Sequence, residues 1–248
     1  MSKENLFVSD IHLSEDTPQV NDLFLSFLKT RAKNAEALYI LGDLFNVWIG
    51  DDYKTELSKT LAQEIARLSQ SGVKVFFLPG NRDFLLGVSY ANKTQWQVLT
   101  EPTCIDLYQQ PTLLMHGDLL CTNDKVYQRY RAFIRHPVVR FTTGLLPLNF
   151  RIKIANKLRK ASKKHQTNIP YTNLDVNPLT VIHFMQKYNC TQLIHGHVHR
   201  QAITEVSLNS TQIAKRFVLG PWNKSGSILV CSPQSCHFET FLANSHAQ

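Results

Sequence analysis

No stretch of the sequence approaches the roughly 18 consecutive apolar residues that a membrane-spanning helix requires, so none is expected. Cysteine is sparse: five residues, at 104, 121, 190, 231 and 236, odd in number, scattered and without a Cys-x-x-Cys pair. That pattern argues against a disulfide framework or a zinc knuckle and predicts reduced thiols in a cytosolic compartment. The opening Met1-Ser2-Lys3-Glu4-Asn5 leads directly into a strand-like Leu6-Phe7-Val8, without the long apolar core of a signal peptide. The charged share is 19% and the apolar share 43% of 248 residues, which excludes a disordered, collagenous or low-complexity chain and suits one mid-sized domain, residues 1–248, with a real core.

A second absence is local. Residues 125–168 contain no aspartate or glutamate but hold twelve of the 27 lysines and arginines. The rest of the chain then carries 15 basic against 19 acidic residues, so the whole net charge of +8 resides in this segment. A block so confined points to phosphates or an anionic membrane surface.

Short apolar runs at 6–8, 37–41, 73–78, 112–115 and 193–194 read as buried strands, and 20–32 and 57–71 carry apolar residues at helical spacing. From residue 202 the pattern is strands only, over 202–208, 212–219, 227–231 and 236–241. Alternating elements predict an α/β layered fold. Residues 126–134 and 150–158 read as two amphipathic helices joined by 141–148, so 125–168 is expected to be a basic helical cap inserted between core strands.

Each of the five leading strands runs into a residue type that binds metal. They are followed by Ser9-Asp10-Ile11-His12, Gly42-Asp43, Gly80-Asn81-Arg82-Asp83, His116-Gly117-Asp118 and His195-Gly196-His197-Val198-His199. Loops just beyond the carboxyl ends of strands converge on one crevice in an α/β sheet. Carboxylate, imidazole and amide oxygen suit Mn²⁺, Zn²⁺ or Fe²⁺. Seven candidates (Asp10, His12, Asp43, Asn81, His116, His197 and His199) exceed what one catalytic ion takes, so a pair is expected, with Asp43 as the bridging carboxylate.

In this order the five motifs resemble the calcineurin-like metallophosphoesterase superfamily, and the longer stretches Ala37-Leu38-Tyr39-Ile40-Leu41-Gly42-Asp43-Leu44-Phe45, Trp48-Ile49-Gly50-Asp51-Asp52 and Gly80-Asn81-Arg82-Asp83-Phe84-Leu85-Leu86-Gly87 resemble the UDP-2,3-diacylglucosamine hydrolases, the pyrophosphatases of lipid A synthesis. The resemblance implies a four-layer α/β/β/α metallophosphoesterase sandwich and two Mn²⁺ per chain. It places Asp10, His12, Asp43 and His199 on one ion, and Asp43, Asn81, His116 and His197 on the other. Catalytic work falls to Asp43, Asn81, Arg82 and His116. Substrate contacts fall to Asn81, Arg82, His116, Asp124, Ser162, Gln166 and His197; Ile169 stands where these enzymes often carry a lysine, for which Lys163 or Lys164 would substitute. The implied reaction cleaves a UDP-linked diacylglucosamine to UMP and the 1-phosphate lipid, by a monomer that visits the cytoplasmic face of the inner membrane and has no nucleic-acid partner.

Arg82 occupies the position where many phosphomonoesterases and phosphodiesterases of the superfamily place a histidine. A phosphomonoester leaving group needs charge neutralisation more than a proton, which favours P–O–P cleavage. Apolar residues of the cap (Phe133, Ile134, Val138, Val139, Phe141, Leu145, Leu146, Phe150, Ile152 and Ile154) are expected to meet acyl chains or a membrane, and its cations the lipid headgroups. A nuclease on the same scaffold would want aromatics interleaved for base stacking. A metal-free scaffold predicts lost ligands, and a hydrolase of soluble phosphodiesters or nucleotide sugars would not need the apolar cap. His195 is read as a supporting residue, Asp83 and Asp118 as loop caps or ligand-orienting groups, Trp48 and Trp222 as packing, and Asp51-Asp52 as a solvated turn. Cys121 reads as a buried apolar residue, and His136, His165, His183, His237 and His246 as ordinary polar residues.

Overall fold

The computed structural model of the chain describes residues 4–168 and 175–242, the side chains of 160–168 excepted. Its frame is three parallel neighbours, β1 (Asn5–Val8), β2 (Ala37–Ile40) and β3 (Lys74–Phe77). Successive side chains leave a strand on opposite faces. Leu6, Val8, Leu38, Ile40, Val75 and Phe77 face one core, Phe7 and Tyr39 another. Burial on both faces is why these strands read as unbroken apolar runs rather than as alternation. On the inner face the rings of Phe7, Tyr39 and Phe76 stack in a row, with centroids 4.7 and 4.6 Å apart.

Antiparallel β10 (Gly226–Cys231) and β11 (Cys236–Phe241) extend this sheet on one side and short β4 (Gln97–Val98) on the other, in the order β11-β10-β1-β2-β3-β4. The second sheet has the order β5-β6-β7-β9-β8, from β5 (Thr103–Leu107), β6 (Gln110–Leu114), β7 (Gln192–His195), β8 (Ala202–Ser207) and β9 (Ile213–Val218). Leu41, Leu78, Leu114, Ile194, Phe217 and Leu229 fill the space between the sheets. Helices α1 (Pro18–Lys29), α2 (Glu56–Gln70) and α3 (Val88–Thr94) cover the outer face of the first sheet.

Residues 125–168 form three helices, α4 (Lys125–Ile134), α5 (Pro137–Leu145) and α6 (Leu148–Asn168), and not the expected pair joined by 141–148. Pro137 stands in the first turn of α5, where its fixed φ favours a helix start, and residues 141–145 of the expected joint lie inside this helix. The last helix, α7 (Pro178–Lys187), covers the second sheet by burying Val181 and Met185 against Leu113, Met115 and Leu193. The layers are therefore helix, sheet, sheet, helix, as expected. No helix of the described residues is long and apolar enough to cross a membrane.

Three further expectations change. Cys231 and Cys236 form a disulfide, because the β10–β11 hairpin makes them register partners with Cα atoms 4.1 Å apart; Cys104, Cys121 and Cys190 are free. Asp51 is not a solvated turn residue but accepts hydrogen bonds from the Trp48 indole (3.1 Å) and from the backbone N–H of Gly87 and Tyr90 (both 2.9 Å), which satisfies the start of α3. Arg151, part of the basic segment, is only 5% exposed: it pairs with Asp52 and donates to the Ile49 and Leu146 carbonyls at 2.6 and 2.9 Å.

Trp222 is a packing residue, as expected, with ring centroids 5.2 Å from Phe24 and 5.3 Å from Phe27. Phe27 is fully buried and also packs on Phe241. Phe27→Ala removes the middle of this cluster and is expected to cost about 3–5 kcal/mol, read as a lowered midpoint of urea unfolding.

Candidate metal centre

Five loops leave the carboxyl ends of β1, β2, β3, β6 and β7 on one side of the paired sheets, and the predicted residues meet there. Their backbone is unusual. Asp10, His12, Asp43, His197 and His199 all have positive φ, between 53° and 70°. Non-glycine residues are uncommon in this region, although aspartate and histidine enter it more readily than most, and tertiary contacts hold these five in it. Gly42 shows how tight the approach is: at φ +85° its added Cβ would lie 2.6 Å from the Gly80 Cα. The β2 and β3 loops therefore pass backbone against backbone.

The carboxylate of Asp10 is completely buried and its Oδ2 accepts from the Ser9 hydroxyl (2.6 Å) and the His197 N–H (2.9 Å). Its Oδ1 has no hydrogen bond and lies 3.3 Å from His199 Nε2. His12 Nε2 and His199 Nε2 face each other at 3.2 Å. Asp43 Oδ1 accepts from the Arg82 N–H at 2.8 Å and lies 3.6 Å from His116 Nε2, while Oδ2 is 3.9 Å from His12 Nε2. Asn81 Oδ1 sits between His116 Nε2 (2.9 Å) and His197 Nδ1 (3.0 Å). The Leu41 carbonyl can only accept, so His116 Nδ1 donates to it at 2.9 Å and the Nε2 atom faces the centre.

The charge balance fits cations. Burial raises the Asp43 carboxyl, whereas Asp10, equally buried, is held below the usual carboxylate range by the neighbouring His199 and His116 rings. Burial pushes His12 and His197 down to about 4, leaving them neutral at pH 7. Against the same burial, Asp43 and Asp10 raise His116 to about 9, and the nearby Asp10 carboxylate raises His199. The carboxylates thus favour positive charge at His116 and His199, where bound cations would balance them. Two donor groups, Asp10-His12-His199 and Asp10-Asp43-His116, each have ligand atoms within 4.8 Å of one another. With the unpartnered Asp10 Oδ1, this all-oxygen-and-nitrogen set fits neighbouring divalent ions.

Of the remaining expected residues, Arg82 stands beside Asp43 with its Nε buried and unpartnered. Asp124 serves as the N-cap of α4, accepting from the Tyr127 N–H at 2.9 Å. Ile169 and His246 lie outside the described residues, as do the side chains of Ser162, Lys163, Lys164, His165 and Gln166. His195 has both ring nitrogens occupied: Arg216 Nε donates to Nε2 and Nδ1 donates to the Gly196 carbonyl, each at 2.9 Å. Burial, with Arg216 beside it, pushes His195 down to about 3.

The sequence reading assigned no role to Ser9, Glu101, Tyr127, Arg131 or Arg216. Ser9 adjoins a ligand candidate, which is a local signal; Glu101 and Arg131 carry no motif, and only the fold pairs them, at 2.6 Å. Asp83 does hold loops together, accepting from Gly80 (2.8 Å), Leu44 (2.8 Å) and Phe45 (3.4 Å). Burial and the nearby Asp43 raise its carboxyl to about 7. Asp83→Ala strands three backbone N–H groups at about 1–3 kcal/mol for each buried one, so a loss of at least about 3 kcal/mol in urea unfolding is expected.

Comparison with known proteins places this geometry. The calcineurin-like phosphoesterase family matches residues 6–201. The UDP-2,3-diacylglucosamine hydrolase of Photobacterium profundum is 40% identical over 95% of this chain and 96% of its own. The enzymes of that name from Aeromonas salmonicida (45% identical; 92% of this chain, 89% of its own) and Coxiella burnetii (43%; 92% and 93%) are similar along the same length. A chain with this fold, this convergence of donors and these relatives belongs to the calcineurin-like phosphoesterases, in the UDP-2,3-diacylglucosamine hydrolase family.

Proposed function

We propose that the chain hydrolyses the pyrophosphate bond of UDP-2,3-diacylglucosamine, giving UMP and 2,3-diacylglucosamine 1-phosphate. The observation that carries this reading is the convergence of all seven donor residues at the strand ends, in a chain 40–45% identical to hydrolases of that name over more than nine-tenths of its length. Asp10, His12, Asp43 and His199 would hold one Mn²⁺, and Asp43, Asn81, His116 and His197 the other. Such ions supply Lewis acidity, which brings the pKa of water toward neutrality and offsets phosphoryl charge.

The chain's own groups prepare that chemistry. Ser9 and the His197 N–H fix Asp10 Oδ2, so that Oδ1 faces the centre. The Leu41 carbonyl sets the His116 ring so that Nε2 points inward. Arg82, charged and partly exposed beside Asp43, would meet the phosphoryl oxygens as charge develops. Water would attack the α-phosphorus in line, and the lipid phosphate would leave without needing a proton. Asn81, Arg82, His116, Asp124, Ser162, Gln166 and His197 would contact the substrate.

The insert supports a lipid-linked substrate. Phe133, Val138, Phe141, Leu145 and Phe150 are each more than half exposed, and Arg129, Arg140, Lys153 and Lys157 are exposed on the same three helices. Apolar side chains interspersed with cations suit the interface of an anionic membrane. We read 125–168 as a cap on a single domain, acting as a monomer at the cytoplasmic face of the inner membrane.

Incubation of UDP-2,3-diacylglucosamine with protein and Mn²⁺ in H₂¹⁸O is expected to place label in UMP. Asp43→Ala should lose more activity than the roughly 10–100-fold that follows loss of an outer partner of a metal ligand. Label in the lipid phosphate would reverse the attacked phosphorus, and cleavage of soluble phosphodiesters alone would assign a different substrate. Phe141→Ser with Leu145→Ser should weaken flotation with anionic vesicles by about tenfold or more, given ~1.5–3 kcal/mol for each fully buried large side chain.

A further inference from the structure

Helix α4 turns one face toward the centre. Tyr127, Gln128, Arg131 and Arg135 follow the i, i+1, i+4, i+8 spacing that gathers side chains on one side of a helix. The Tyr127 hydroxyl donates to Asp118 Oδ2 (2.8 Å), and Gln128 Nε2 donates to the Asp118 and Cys121 carbonyls (2.8 and 3.0 Å). Arg131 bridges two buried carboxylates, with Nε on Asp118 Oδ2 (2.7 Å) and Nη2 on Glu101 Oε2 (2.6 Å). The other oxygen of Glu101 accepts from the His116 N–H at 2.7 Å. Arg135 Nη2 donates to the Gly80 carbonyl at 2.9 Å.

These contacts end on two particular peptide units. The Met115–His116 peptide N–H is held by Glu101, and the Gly80–Asn81 peptide carbonyl by Arg135. The side chains that follow, His116 and Asn81, meet at 2.9 Å in the centre. Stability alone is a poor reason for the bridge, since apolar groups of similar volume often replace a buried ion pair without loss. What an arginine fork between two carboxylates does supply is direction.

We propose that Arg131 and Glu101, through the His116 peptide, and Arg135, through the Gly80 carbonyl before Asn81, are positioning residues by which α4 aligns His116 and Asn81, so that the helical insert itself sets the affinity of the centre for its cation. The inference rests on the reading of His116 and Asn81 as metal ligands. Loss of the bridge would free the His116 peptide to rotate and spread the donor atoms, while the sheets beneath stay intact.

The test is calorimetric titration of Mn²⁺ alone into chelator-treated full-length protein, beside a thermal melt of each variant. Arg131→Met is expected to bind Mn²⁺ about 10–100-fold more weakly. Arg131→Lys, whose ammonium keeps the charge but not the fork, should fall between Arg131→Met and the parent. With substrate at fixed Mn²⁺, Arg131→Met should lower kcat while leaving KM within about twofold, the pattern of misplaced reacting groups rather than lost binding. A folded Arg131→Met with a lowered melting temperature but Mn²⁺ affinity within about twofold of the parent would show a merely structural bridge and overturn the proposal. If Arg131→Met does not fold, Arg131→Lys and Tyr127→Phe decide by the same titration: weakened binding in both supports the proposal, and unchanged binding overturns it. A parent protein that takes up no Mn²⁺ would instead refute the metal reading, whereas one that binds Mn²⁺ but leaves the lipid uncleaved would refute only the substrate.

Discussion

Two carboxylates taken out of water govern this structure. Asp10 is fully buried and Asp43 is 2% exposed, and a buried carboxylate is costly unless positive charge and hydrogen bonds compensate it. Compensation comes in rings. Nearest are His116 and His199, whose protonation the carboxylates favour, and Arg82. Farther out, Asp83 ties the β2 and β3 loops together, and Glu101 and Asp118 are in turn neutralised by Arg131 and Arg135. The positive φ angles at five of the donor residues are the conformational cost of aiming these groups inward, and the two packed sheets below make that cost sustainable.

This arrangement changes the meaning of the chain's basic segment. A run of twelve cations without an acid reads in sequence as a surface for phosphates or lipids. Arg131, Arg135 and Arg151 have instead turned inward, to Glu101, Asp118, Gly80, Asp52 and Ile49. Exposed arginines and lysines remain beside exposed phenylalanines and leucines, so the segment works on both sides. One face fastens it to the centre, and the other offers an amphipathic surface.

Much of the centre was legible because its signals are local. A strand followed at once by aspartate, histidine or asparagine keeps that residue at the strand's end, and parallel neighbours bring such ends together. His116, Asn81 and Asp43 could therefore be placed from motifs alone. Helix α5 was missed because 141–148 reads as the joint between two helices, although residues 137–145, Gly144 among them, continue as a helix. Asp51 looked solvated because nothing near it in sequence reveals that Gly87 and Tyr90 would present their N–H groups to it. The Cys231–Cys236 disulfide was hidden because its spacing is not a recognised motif, and only the hairpin register makes the two residues partners.

The amino-acid order by itself determined the buried strands, the order of the five donor loops and the all-oxygen-and-nitrogen character of the centre, since each follows from residue type and short-range periodicity. Only the tertiary structure decided which charges answer which. Glu101 meets Arg131 across 30 residues, Arg151 meets Asp52 across 99, and Arg216 reaches the ring of His195 across 21. Such pairings depend on how the layers close over one another. An ion pair is set by distance and desolvation in three dimensions, and neither quantity has a signature along the chain.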